Sequence, residues 1–262
     1  MLRTRLIPVL LLQNGLLVRS QSFSIHQAIG NPIHEARRFN EWNVDELIYL
    51  DISRDDEYDL RRDDHKVKNL TGPMEILEEV SRTCFMPLTW GGGIRTVEDM
   101  RECFARGADK ISVNTQAFRT PQLIRDASAK FGRQAIVICV DVRRREDGQP
   151  EVIIEGGREA TGADPVEWVK DAVSQGAGEI LLQSIDRDGT ARGYDVDLIR
   201  SVSDVSAVPV IALGGVGRYE QYFDAWKAGA NAVAAANIFH FKELSDRNAK
   251  RAMMKAGIPV RM

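Results

Sequence analysis

The chain is poor in the residues that most often mark a metal or nucleophile site. It has three cysteines and four histidines in 262 residues. Cys84, Cys103 and Cys139 are scattered and lack metal-ligand spacing, which argues against a zinc framework or a disulfide scaffold and leaves reduced thiols of a cytoplasmic protein as the expectation. His26, His34, His65 and His240 show no triad or ligand spacing and are read as loop or surface residues. No metal and no organic cofactor are therefore expected. Excess positive charge is also lacking: 35 Lys and Arg face 38 Asp and Glu, for a net charge of -3, which gives no footing for nucleic acid. Long apolar runs are missing too. The first, Leu6 to Leu12, is followed by no small-residue cleavage site and has the length of a strand, not of a leader or a membrane span.

Hydrophobic residues make up 44% of the chain and charged residues 28%, enough for a packed core. Short Leu-rich and β-branched runs alternate with segments of helical period, the pattern of parallel strands joined by crossover helices. Eight runs fall at 5–11, 46–51, 86–90, 110–114, 135–141, 179–184, 209–213 and 232–236. Helices are expected near 31–43, 73–82, 97–106, 121–131, 165–175, 196–203, 218–228 and 243–256. The stretch Pro87 to Ile94 aligns with Pro209 to Val216 at an offset of 122, which also carries Gly107-Ala108 onto Gly229-Ala230. The expected fold is a single (β/α)8 TIM barrel over 1–262, built from two similar half-barrels; an open doubly wound sheet would leave edge strands that nothing here visibly protects. Long loops are expected at 13–31 and 53–72. A hairpin about Asp147-Gly148 is expected within 143–162.

Two glycine turns, Gly91-Gly92-Gly93 and Gly214-Gly215, follow strands and open helices, where free backbone N–H groups suit an anion. Asn114-Thr115 and Ala236-Asn237 end the next strand in each half. Together with Gly189, these residues predict two phosphate pockets on opposite sides of one mouth. Asp141 ends strand five, where a partly desolvated carboxylate suits proton transfer. Asp51 ends strand two, and Asp186, Arg187 and Asp188 are expected to include mutual pairing that holds a loop. Arg5, Glu46, Lys110 and Glu179 begin strands one, two, four and six, so they share the opposite face and read, from spacing alone, as a cluster of salt bridges.

These residues resemble the cyclase subunit family of imidazole glycerol phosphate synthase, a histidine-pathway barrel. The likeness covers nearly the whole chain and includes Ile7-Pro8, Asp45-Glu46-Leu47, Gly91 to Arg95, Gly107 to Lys110, Gly156-Gly157-Arg158, Gly176 to Leu182, Ser184 to Gly189, Gly193-Tyr194-Asp195 and Ile238 to Phe241. The resemblance implies that ammonia from a partner glutaminase enters the barrel base through a charged gate, matched here by Arg5, Glu46, Lys110 and Glu179. Asp45 and Asp109 resemble residues facing the glutaminase. At the mouth, two aspartates of the family serve cleavage and ring closure of a ribulosyl-aminoimidazole carboxamide carrying two phosphates.

Only one of those aspartates is present. Asp141 matches, while Leu11 stands at the other position and Arg19 at that of a lysine. Gln183, Leu213, Asn237 and Trp90 also depart from the pattern and are expected to gather at the mouth. Leu10-Leu11-Leu12 resembles a divergent branch associated with surface polysaccharides, thought to act with a glutaminase and a separate sugar amidotransferase. The leading expectation is therefore an ammonia-receiving paralogue that supports amidation of a polysaccharide sugar. A true cyclase in which Asp51 or Asp186 covers for Leu11 is the alternative; a non-catalytic sensor of a phosphorylated ligand is a third.

Overall fold

Strand β1 (Arg5–Gln13) sets the pattern for the rest. Successive side chains of a strand point to opposite faces. Leu6, Leu10 and Leu12 accordingly pack with helix residues such as Phe39 and Ile76, while Ile7, Val9 and Leu11 fall in a separate cluster drawn mainly from the strands. A strand buried on both faces is the mark of a parallel sheet covered by helices. The computed structural model describes residues 3–42, 44–54, 70, 72–241 and 245–261.

Among these residues β1 is joined in order by the barrel strands β4 (Leu47–Asp51), β5 (Leu88–Gly91), β6 (Lys110–Val113), β7 (Ile136–Arg144), β10 (Glu179–Ser184), β11 (Val210–Leu213) and β12 (Ala232–Ala235). Every neighbouring pair is parallel, and β12 returns to β1, so the eight strands close into a (β/α)8 barrel. The outer layer comprises α1 (Pro32–Glu41), α2 (Pro73–Thr83), α3 (Val97–Ala105), α5 (Gln122–Phe131), α6 (Pro165–Gln175), α7 (Val196–Ser203), α8 (Gln221–Lys227) and α10 (Ser245–Lys255). Short helices α4 (Thr115–Arg119) and α9 (Asn237–Phe241) follow β6 and β12 directly and were not expected. Helix starts follow local chemistry. Asp164 caps α6 by accepting from the N–H groups of Val166 and Glu167, with Pro165 at the first position, and Thr96 and Asp99 form a reciprocal capping box on α3.

The two halves repeat in space as in sequence. Gly92 and Gly214 both have positive φ, +105° and +110°. A Cβ at Gly92 would stand 2.0 Å from the Asp51 carbonyl oxygen ending β4, and one at Gly214 would stand 2.9 Å from that of Ser184 ending β10. Each glycine lets the turn press against the end of the preceding barrel strand.

Two expectations need correction, and a third falls largely outside the described residues. Residues 13–31 are not a loop but an antiparallel hairpin: β2 (Leu16–Gln21) pairs with β1 and with β3 (Ile25–Gly30). Its sequence alternates too weakly on the outer strand to be read as β. Most of 53–72 lies outside the described residues. Trp90 does not face the mouth: it is fully buried in the layer between strands and helices, its ring stacked on Tyr49 at 5.9 Å between centroids. The parity of β5 decides this, because Thr89 and Gly91 take the inward positions and Trp90 the outward one. The hairpin after β7 is as expected, with β8 (Pro150–Ile154) running antiparallel to it and β9 (Glu159–Ala160) beside β8.

Trp90 is thus a packing residue. Trp90→Ala is expected to cost about 3–5 kcal/mol of stability in urea unfolding, with the far-ultraviolet circular dichroism of the folded variant unchanged.

Candidate functional site

Four inward side chains at the base of the barrel are charged. Arg5 reaches Glu46 at 2.6 Å and Glu179 at 2.7 Å, and Lys110 reaches the same two carboxylates at 3.2 and 2.8 Å. The four residues expected at the strand starts therefore form one closed ring of alternating sign. Burial alone would lower the pKa of Arg5, but Glu179 and Glu46 outweigh it and raise the value. Asp45 does not face outward to a partner as expected. It is spent inside, accepting from the Leu6 N–H at 2.8 Å and pairing with the buried Lys250 at 2.9 Å. Asp109 is exposed beside the ring and accepts from the Leu88 N–H.

Above the ring the inward positions turn apolar. Ile7, Val9, Ile48, Val137, Leu181, Ile211, Ala232 and Ala234 line the bore, with Thr89 and Ser112 as its small polar exceptions. The bore ends at Leu11, Asp141, Gln183 and Leu213, all buried and inward by strand parity. Gln183 lies in register with Asp141, and Leu11 with Leu50.

Asp141 is the titratable group among these four. One oxygen accepts from Asn114 Nδ2 at 3.1 Å and the other from the Cys139 thiol at 3.3 Å. Burial pushes its pKa up to about 7; the Cys139 contact opposes the rise, and the nearby charge of Asp188 adds to it. A carboxyl balanced at neutral pH can give or take a proton with little driving force lost.

The predicted phosphate residues divide. In the first half, the side chains of Asn114 and Thr115 are occupied: Asn114 donates to Asp141 and to the Cys139 carbonyl, and Thr115 Oγ1 accepts from the Glu155 N–H at 2.9 Å. They organise the carboxylate and the β8–β9 hairpin, leaving backbone at Gly92 and Gly93 as the open part of that turn. In the second half, Gly189, Gly214, Gly215, Ala236 and Asn237 come together around a cavity of about 230 Å³, which Leu11, Arg19, Gln183, Asp188 and Leu213 also line. Asn237 Nδ2 donates to the Ser20 carbonyl at 3.0 Å, and its Oδ1 is buried without a partner.

Neither carboxylate proposed to cover for Leu11 is suitably placed. Asp51 lies outward by the parity of β4 and accepts from the Ser53 N–H, while Asp186 is exposed and accepts from the Arg144 N–H. Nor do Asp186 and Asp188 use Arg187 as the loop brace expected from sequence. Asp188 is the residue that sequence reading missed. It is buried at the mouth, accepts from Ser20 Oγ at 2.6 Å and the Phe23 N–H at 3.3 Å, and burial raises its pKa. The spacing of two residues from Asp186 was the available signal, since it puts successive acids at different depths of one turn. His240 is half-buried on α9; burial, with Arg38 nearby, lowers its pKa to about 4. His65 lies outside the described residues. Among the described residues no cluster suits a metal ion, and no helix is long and apolar enough to cross a membrane.

Residues 5–245 match the family described as "Histidine biosynthesis protein". The imidazole glycerol phosphate synthase subunits HisF from two strains of Caulobacter vibrioides are each 45% identical to the chain over 267 aligned positions, spanning 100% of this chain and 97% of the relative.

The state of Asp141 has a consequence for stability. Its folded pKa of about 7 lies above the ordinary carboxylate value of about 4. The fold therefore holds the proton more tightly than the unfolded chain, and this residue's contribution falls as pH rises from about 4 to about 7. Asp141→Asn is expected to raise the melting temperature at pH 8, with the gain vanishing towards pH 4. Equal stability of the two proteins at pH 8 would show that Asp141 is not held in this way.

Proposed function

The chain belongs to the histidine biosynthesis protein family, and we propose that it is the ammonia-accepting barrel subunit of a glutamine-dependent synthase. The observation that carries this reading is the closed ring of Arg5, Glu46, Lys110 and Glu179 beneath an apolar bore that ends at Asp141. Neutral ammonia is small and tolerates an apolar passage, whereas ammonium does not. The ring would be the gate, and a glutaminase docked at the base would supply it. Asp109 is available to such a partner; Asp45 serves by holding β1 and α10 behind the gate.

The names of the relatives back ring closure in histidine biosynthesis better than the polysaccharide role expected from Leu10-Leu11-Leu12. In this reading a ribulosyl-aminoimidazole carboxamide with two phosphates spans the mouth. One phosphate rests on Gly214, Gly215, Gly189 and Asn237, whose free Oδ1 would meet a hydroxyl or water. The other rests on the backbone of Gly92 and Gly93. Asp141, half protonated at neutral pH, would protonate the leaving nitrogen and later recover a proton from the incoming ammonia.

One observation favours a second reading. Leu11 stands inward at the mouth beside the phosphate cavity, in the position that the family fills with its second aspartate, and a leucine transfers no proton. Of the triple leucine only this residue bears on chemistry, since Leu10 and Leu12 pack outward. If the acid is missed, the barrel delivers ammonia towards a separate amidotransferase acting on a sugar.

Turnover of the ribulosyl bisphosphate with ammonium salt separates the two. Ring closure at an ordinary enzymatic rate, little changed in Leu11→Asp, supports the cyclase and implies that Asp188 supplies the second carboxylate. Turnover depressed by about 10²–10⁴-fold and recovered in Leu11→Asp means that the acid is missed. No turnover by folded protein, together with binding to a glutaminase, supports the second reading; failure to bind any glutaminase removes the proposal.

A further inference from the structure

On the same face as the mouth, the two hairpins enclose another cavity, of about 600 Å³. Arg54, Arg143, Arg158 and His26 line it with Gln13 and Ser24, and among the described residues no carboxylate does. We propose that this cavity is a third anion subsite, built for a phosphate or pyrophosphate group and separate from the two glycine turns. It stands on its own geometry, whichever acceptor the mouth serves.

Its walls are fixed before any ligand arrives. Arg143 lies two residues beyond Asp141 on the same face of β7, and its Nη2 donates to the Gly157 carbonyl at 2.8 Å. Phe23 at the tip of the first hairpin packs so closely on Gly157 of the second that a Cβ there would stand 2.9 Å from its ring. The tip is in turn held by Asp188, which accepts from the Phe23 N–H. The β2–β3 hairpin thus serves both cavities, with Arg19 on the mouth and His26 on the arginine cavity.

Among the described residues its charges are poorly neutralised. Arg158 Nε donates to the Glu155 carbonyl at 2.8 Å, and its guanidinium lies 3.4 Å from the Glu155 carboxylate. That carboxylate is already closer, at 2.8 Å, to Arg119. Neither Arg54 nor Arg143 pairs with a carboxylate among the described residues. Burial, and then Arg54, lower the pKa of His26 against a smaller pull from Asp188. A concave surface of one sign focuses field and collects counter-ions. Guanidinium groups are planar forks that match phosphate oxygens in pairs, which makes an oxyanion the fitting occupant and repels a metal cation.

The test is calorimetric titration of inorganic pyrophosphate into the full chain and into the variants Arg54→Ala, Arg54→Lys and Arg143→Ala, with Asn237→Asp as a control that places negative charge in the mouth cavity. Each alanine variant is expected to weaken binding by about 10-fold or more, as for a lost charge-assisted hydrogen bond. Arg54→Lys is expected to recover part of the loss and Asn237→Asp to leave this binding in place. Arg143 is partly buried, so that variant counts only if its thermal melt matches wild type; the exposed Arg54 decides otherwise. No binding to wild type, or binding indifferent to both arginines and lost in Asn237→Asp, overturns the proposal. The readout requires no turnover, so its failure is separable from that of ring closure.

Discussion

The two-residue alternation of a strand in a closed barrel is the constraint from which the rest follows. Once β1 pairs with β4 on one side and β12 on the other, each residue is committed either to the bore or to the helical layer. Arg5, Ile7, Val9 and Leu11 share the bore; Leu6, Leu10 and Leu12 share the layer outside it. A slip of one residue would exchange the two sets, placing Arg5 among the helices and breaking the charged ring. The vertical order of charge, apolar bore and carboxyl is thus one register repeated round the barrel.

Depth along the bore then decides how each buried charge is treated. At the base two cations and two anions meet within hydrogen-bonding distance, so the desolvation cost of each is offset by its neighbours. At the mouth, among the described residues, Asp141 is met by an amide, a thiol and the like charge of Asp188, with no cation paired to it. The same burial that the ring tolerates as charge is met here by holding a proton. One end of the bore is suited to stable ionisation, the other to proton exchange.

Much of this was legible in the sequence. Eight runs and the offset of 122 gave the barrel because period and repeat are local properties, and the strand-start charges gave the ring because strand starts share one end. What stayed hidden depended on side-chain direction. Trp90 was placed at the mouth by its neighbour Gly91, but parity turned it outward. The hairpin of residues 16–30 resembles a loop in sequence because β3 is largely exposed and shows little apolar alternation. The place of Asp188 is not legible locally because its partner, Ser20, lies 168 residues away. For Asn114 and Thr115, spacing cannot show that their side chains also bond Asp141 and the Glu155 N–H.

The central claim is that the bore delivers a reactant to a carboxyl poised at neutral pH. Carbon-13 NMR of protein labelled at the aspartate carboxyl carbon, with the Asp141 signal assigned by its loss in Asp141→Asn, tests it directly. The account requires that signal to titrate with a midpoint of about 7, displaced upward by burial. A midpoint in the ordinary carboxylate range, near 4, would mean that water reaches Asp141 freely and that the mouth holds no acid or base tuned for catalysis.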